Sequence, residues 1–416
     1  MTPASVGPWP GDDDPGRWRA LAVVSAAMLL SLSAWMTATA VGAELQVRWG
    51  LTTSEVGWLT TTVQLGFVAG TALAAVLNVA DVVRARTLFA TSALMAALVN
   101  AGLLLAPGYA SALALRFLTG AFLAGVYPPG MKMVSTWFRS ARGLAIGTVV
   151  GALTVGKATP WLIKAAGGAS LGAVVAGASV AGLAGSLLVA AGYRDGPYPF
   201  PSRPFEWARV GRILRHRETM LATGGYLGHM WELYAMWTWA PTFLGVAAAG
   251  RVSTGTVDLV AFGAIAAGGL GCVWGGLAAD RIGRARVVNL AMGVSGVCCL
   301  LAGPATGLPF VALAVLTWVW GFFVVADSAQ FSALVTEVAP ADSVGTALML
   351  QTSMGFLLTM VTIQALPVAV DTFSWRWGFA FLALGPAAGI FSIRRLADVR
   401  RLASAPSSPQ SPGVPR

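Results

Sequence analysis

Apolar runs of about 18 residues or more, each long enough to span a bilayer, return along the whole of this 416-residue chain. Within lipid every backbone amide must be bonded internally, so runs of this kind fill with helix. A barrel of alternating strands has no need of them. A soluble domain carries about 25% charged residues; here the share is 11%, with 56% hydrophobic and a mean hydropathy of +0.72. The pattern predicts an all-α membrane protein of twelve transmembrane helices, over roughly 20–42, 55–79, 87–106, 109–135, 143–165, 168–192, 220–247, 257–279, 286–306, 309–335, 344–367 and 374–396.

A formal net charge of +10 would suit a nucleic-acid partner, but the charges lie in short segments between apolar runs. They read as topology signals instead. With both termini cytoplasmic, the cytoplasmic segments hold 20 Lys and Arg residues and the opposite side holds 4, Arg48, Lys164, Arg251 and Arg376. The expected site is therefore the cytoplasmic membrane, with no nucleic-acid partner. The first charges, Asp12, Asp13 and Asp14, are not the basic start of a secretory signal, and the first apolar run shows no convincing cleavage site.

The longest polar stretch, Tyr193 to Glu218, is rich in proline and arginine. It divides the chain into an N-terminal six-helix half (1–192), a cytoplasmic linker (193–218) and a C-terminal six-helix half (219–396). A proline-rich tail (397–416) reads as disordered. The halves repeat at a near-constant offset. Asp81 and Asp280 are 199 residues apart, Gly120 and Gly321 are 201 apart, and RGLAIGTVVG in helix five precedes VGTALMLQTS in helix eleven by 202. Two copies related by pseudo-two-fold symmetry are expected.

Cys272, Cys298 and Cys299 all lie inside apolar runs, so neither a metal site nor a disulfide is expected. There is no cluster of metal-ligating residues, no nucleophile beside a base and no phosphate-binding loop. The chain does not read as an enzyme and implies no cofactor. Energy for any transport would come from a gradient of ions or solute, or from a separate subunit.

After helix eight stands a glycine-spaced basic loop of Gly276, Asp280, Arg281, Gly283 and Arg284, with Arg286 beyond. Helix four opens RFLTGAFLAG, with Arg116, Gly120 and Gly125. With WFRSARGLAIG and WRWGFAFLALGP, these features over about residues 17–396 resemble the major facilitator superfamily. The stretch RFLTGAFLAGVYPPGMKMVSTWF is most similar to its nitrate/nitrite and small-anion branches. The resemblance implies a cytoplasmic gate at the loop, where Asp280 sits near a helix N-terminus and the arginines bond neighbouring helices in one state only. Plain positive-inside anchoring is the simpler alternative. The first-half copy keeps Asp81, Arg84 and Arg86 but has Leu77, Val82 and Val83 where glycine and arginine would help. Helix five carries Gly147, Gly151 and Gly156 without the Gly-Pro pair of the family's drug antiporters.

The resemblance also implies a central cavity lined by helices one, four, seven and ten. Helix seven holds GYLGHMWELYAMWTWAP, with His229 and Glu232 one turn apart. A charge at the bilayer centre costs at least about 2.5 kcal/mol, so Glu232 should face the bundle interior. There it could exchange a proton with His229 or, alternatively, hold helices together as a neutral acid bonded to it. Tyr226 is a cavity candidate. Trp237 and Trp239, near the outer helix end, suit an interfacial belt. Asp327 lies inside helix ten with Trp320 on its face and Gln330 at its edge, either a binding surface or a partner for a buried base. Arg116 has an implied structural or proton-linked role. Lys157 either holds an anion or snorkels outward.

Positive groups in the first half facing negative groups in the second favour a small anionic or zwitterionic solute. The expected function is a monomeric secondary transporter, proton-coupled, working by alternating access. A proton-driven efflux pump for drugs or metabolites and a transporter-like membrane sensor remain alternatives.

Overall fold

The structure, a computed structural model, describes residues 14–167, 170–198, 206–248 and 250–404, and among these all regular structure is helical. Among the described residues ten helices are long and apolar enough to cross a membrane. Helix one (Gly16–Leu32) and helix seven (Arg217–Ala248) complete the twelve.

Helix one is not the continuous span expected. It opens over residues 33–36 and resumes as Thr37–Ala40 and Gly42–Trp49. Helix two (Thr53–Val76) begins with a capping box: Thr52 Oγ1 accepts from Glu55 N at 3.3 Å, and the Glu55 carboxylate accepts from Thr52 N at 2.7 Å. Helix three is Ala85–Ala101, and helix four is broken into Tyr109–Leu123 and Tyr127–Ser135. Helix five is Arg142–Gly167 and helix six Leu171–Gly192.

In the second half, helices eight (Thr254–Ile282) and nine (Arg284–Ala302) turn at Gly283, whose φ of +87 suits a residue without a side chain. Helix ten is broken at Asp327 into Phe310–Ala326 and Ser328–Val338, matching the break in helix four. Helix eleven runs Val344–Gly378 through a non-helical Ser374. Helix twelve, Leu384–Ser404, continues past residue 396. The rest of the tail lies outside the described residues.

Within the first half helix two packs on helix four, and helix one on helices five and six. In the second half helix eight packs on helix ten, and helix seven on helices eleven and twelve. The halves meet through helix five against helix eight and helix two against helix eleven. Glycine permits very close approaches in both halves, with Gly120 and Gly321 at equivalent places. A Cβ on Gly120 would stand 1.9 Å from Val63 O, and one on Gly66 1.9 Å from Phe117 O. In the second half a Cβ on Gly321 would stand 1.5 Å from Ala264 O, and one on Gly275 1.9 Å from Ala326 O. Small residues let helices touch backbone to backbone in lipid. Gly120→Ala and Gly321→Ala should each lower the melting temperature markedly. Gly293→Ala, in open space on helix nine, should leave it unchanged or slightly raised.

The linker contributes a helix, Trp207–Arg215, that lies on the second half. Ile213 is buried there, and Arg212 reaches Asp342 at 2.6 Å and Ser343 at 3.0 Å. The hydrogen bond from Arg212 holds the Asp342 carboxyl below its usual range.

Candidate functional site

Six helix-seven residues, Tyr226, His229, Met230, Leu233, Tyr234 and Trp237, line a central chamber between the halves. Their spacing of three and four is one helical stripe. Lys157 and Thr154 of helix five face them, with Trp35, Tyr127, Ser328 and Phe356 completing the enclosure. The chamber volume is about 80 Å³.

Lys157 is 3% exposed. It donates a hydrogen bond to the Tyr234 hydroxyl. Its Nζ lies 4.1 Å from the Trp35 ring centroid and 5.3 Å from that of Trp237. Tyr234 offers its hydroxyl rather than its face, the ring centroid standing 4.8 Å away. Among the described residues no carboxylate lies within ion-pair distance of Lys157. The lysine is turned into the protein and does not snorkel to the outer interface. Aromatic faces attract a cation but do not neutralise it, so helix five presents this chamber with an amine that has no counter-charge beside it.

His229 is also buried against the chamber. Its Nδ1 lies 2.9 Å from Asp327 Oδ1, though not aligned as a hydrogen bond, so that oxygen accepts no well-aimed donor. Its Nε2 lies 2.9 Å from Ser328 Oγ. Asp327 and Ser328 meet His229 where helix ten is broken, because the break turns both toward helix seven.

The expected pairing of Glu232 with His229 is not formed. Glu232 points away from the chamber, into the second half, and accepts hydrogen bonds from Ser295 Oγ at 2.9 Å, Cys299 Sγ at 3.2 Å and Trp320 Nε1. At about 100° per residue, Glu232 sits roughly 130° from the centre of the chamber-lining stripe. The neighbourhood read from residue spacing was real, but the cavity falls on the other side of His229.

Arg116 is likewise away from the chamber. Its guanidinium donates to Ala34 O at 3.0 Å, to Asn100 Oδ1 at 3.0 Å and to Trp35 O. It thereby serves the carbonyls freed where helix one opens. Trp320 is spent on Glu232. Gln330 donates to Gly275 O at 3.3 Å and accepts from Arg284 at 3.1 Å, at the loop rather than in the cavity. Trp237 and Trp239 form no interfacial belt: both are buried, Trp237 beside Lys157 and Trp239 donating to Ile363 O at 2.9 Å. The aromatic enclosure of Lys157 was not anticipated, although the three-four spacing of Tyr226, Met230, Tyr234 and Trp237 is visible in the sequence.

A second, larger chamber of about 430 Å³ opens toward the end that carries the linker. It shares Tyr127, Ser332 and Thr352 with the central one. The opposite end is sealed across the halves. Gln364 accepts from Ser54 at 2.9 Å and donates to Thr61 at 3.2 Å, Thr359 donates to Gln64, and Lys164 lies 3.4 Å from Asp258.

At the loop after helix eight, Gly276 packs on Gly143 O, and a Cβ on Gly143 would stand 3.5 Å from Asp280 Oδ2. Asp280 thus reaches the N-terminal turn of helix five in the other half, where a carboxylate is favoured. Arg284 bonds Glu337 at 2.7 Å, within its own half. Arg281 and Arg286 are exposed and bond no described neighbour. The same holds for Arg84 of the first-half copy. The side chain of Asp81 lies outside the described residues.

A sequence match to the family described as Major Facilitator Superfamily spans residues 23–362. No curated protein matches the chain. Among solved structures, the nucleoside transporter NupG is similar over 91% of this chain and 99% of its own, with a TM-score of 0.70 and 12% identity. At that identity the likeness is one of fold, and neither comparison separates branches within the family. The chain belongs to the Major Facilitator Superfamily: it is an integral membrane transporter of a small-molecule substrate, not an enzyme.

Proposed function

We propose that the chain moves a small anionic or zwitterionic solute together with protons across the cytoplasmic membrane. It acts as a single chain of two six-helix halves, with both termini and the linker cytoplasmic. The observation that carries this reading is Lys157, a buried cation that faces the central chamber without a carboxylate partner. An anion entering from water meets there the charge that the fold leaves unmatched. The chamber lies between the halves, open toward the linker end and sealed at the other, as alternating access requires.

His229 and Asp327 are the proposed proton-carrying pair, since His229 lines the chamber and its Nδ1 lies 2.9 Å from Asp327 Oδ1 across helices seven and ten. Glu232 is proposed to hold its helices together. In proteoliposomes, an inward proton gradient should drive anion uptake. Glu232→Gln should keep that dependence, whereas Asp327→Asn and His229→Gln should lose it while still exchanging anion for anion. Loss of proton-driven uptake in Glu232→Gln, with Asp327→Asn unaffected, would reverse the assignment. Efflux of an apolar solute is the second reading, favoured by the apolar walls of the larger chamber. Uridine belongs in the same assay, because the structural neighbour is a nucleoside transporter.

A further inference from the structure

We propose that the substrate is an amphipathic organic anion, with its charged head on Lys157 in the central chamber and its apolar body in the larger chamber beside it. This rests on the reading of Lys157 as the anion's partner and goes further, to the kind of molecule that carries the charge.

The two chambers differ in size and in lining. The central one, at about 80 Å³, has room for a group the size of a carboxylate, given that a water molecule occupies about 30 Å³ of liquid. Its polar side chains include Lys157, His229, Thr154, Ser328 and the hydroxyls of Tyr226 and Tyr234. The neighbouring one, at about 430 Å³, falls within the range of small-molecule sites. Its walls are Phe67, Leu88, Ala124, Pro129, Leu348 and Met349, with few groups beyond the hydroxyls of Thr71, Tyr127, Ser332 and Thr352 to bond a polar ligand and Lys132 on its lining. The chambers adjoin, sharing Tyr127 of the first half and Ser332 and Thr352 of the second on their walls. A single ligand spanning that junction would touch both halves.

Chemistry then separates the candidates. An inorganic anion such as nitrate fills the head site and gains nothing from the apolar walls. A polyol or sugar leaves hydroxyls in the larger chamber without partners, which opposes its burial. A lipophilic cation meets Lys157 as a like charge. A carboxylate with an alkyl or aryl body satisfies both chambers, and each buried methylene should tighten its binding about three- to fourfold.

The test is a binding series on the full chain in lipid nanodiscs, read as ligand-dependent melting temperature. The ligands are acetate, butyrate, hexanoate, phenylacetate and 3-phenylpropionate, with nitrate, phenylacetamide and tetraphenylphosphonium as controls. Affinity should climb about threefold per methylene, and 3-phenylpropionate should bind at least tenfold tighter than acetate. Ala75→Phe, which fills the larger chamber from helix two, should flatten that climb. Nitrate or acetate binding as tightly as the longer acids would overturn the amphipathic assignment and leave the anion reading of Lys157 standing. Phenylacetamide or tetraphenylphosphonium binding as well as phenylacetate, or no anion binding at all, would overturn both. The wild-type series decides between these outcomes even if Ala75→Phe does not fold.

Discussion

Lys157→Gln is expected to abolish the anion-dependent rise in melting temperature and to weaken anion uptake by roughly 30- to 150-fold. That range corresponds to about 2–3 kcal/mol for one charge-assisted hydrogen bond in a water-poor site. The same substitution should not harm the empty protein. Taking an ammonium out of water costs several kcal/mol, and the contacts around Lys157 return only part of this. They are one hydrogen bond to Tyr234 and the ring faces of Trp35 and Trp237, with cation–π attraction contributing about 0.5–2 kcal/mol. Lys157→Met, of similar length and uncharged, should therefore melt at or above the wild-type temperature without ligand. Gain of stability with loss of binding is the mark of a group kept for function. If Lys157→Met melts well below wild type while Lys157→Gln still responds to anions, the lysine is structural.

Arg116→Ala should have the opposite signature. Its guanidinium serves Ala34 O, Trp35 O and Asn100 Oδ1 from a position that is 1% exposed. Removing it strands three buried acceptors, each costing about 1–3 kcal/mol. A total loss near 3–5 kcal/mol would consume much of a typical folding stability of about 5–15 kcal/mol. Lower yield and a sharply lower melting temperature are expected. Arg116→Lys should recover little, because a single ammonium lacks the fork that reaches three acceptors at once. Transport would suffer too, since Trp35 sits on the segment Arg116 holds and its ring packs on Lys157. An Arg116→Ala protein that melts normally yet fails to transport would place Arg116 in the transport step itself.

The two residues show how far sequence reading carries in a membrane protein. Both are charges inside apolar runs, which bilayer thickness makes conspicuous in one dimension. Their roles were not legible. Arg116 meets the Ala34 carbonyl 82 positions away, and Lys157 meets Tyr234 77 positions away. Contacts of that span depend on which helix faces are brought together. Glu232 makes the same point at shorter range. Its spacing from His229 places both on neighbouring faces of helix seven, but Ser295, Cys299 and Trp320 claim it from one side while Asp327 and Ser328 claim His229 from the other.

What the sequence determined by itself was whatever the bilayer and the chain decide locally: twelve helical spans, their repeat at an offset near 200 residues, and the glycine-spaced loop after helix eight. Apolar length, repetition and turn residues are properties of consecutive residues, so they can be read in order. Only the tertiary structure decided where helix one opens. Residues 33–36 contain neither glycine nor proline, the usual causes of such a break. The turn persists because a guanidinium from helix four accepts the task of bonding the freed carbonyls, which would otherwise stand unmet in a medium without water.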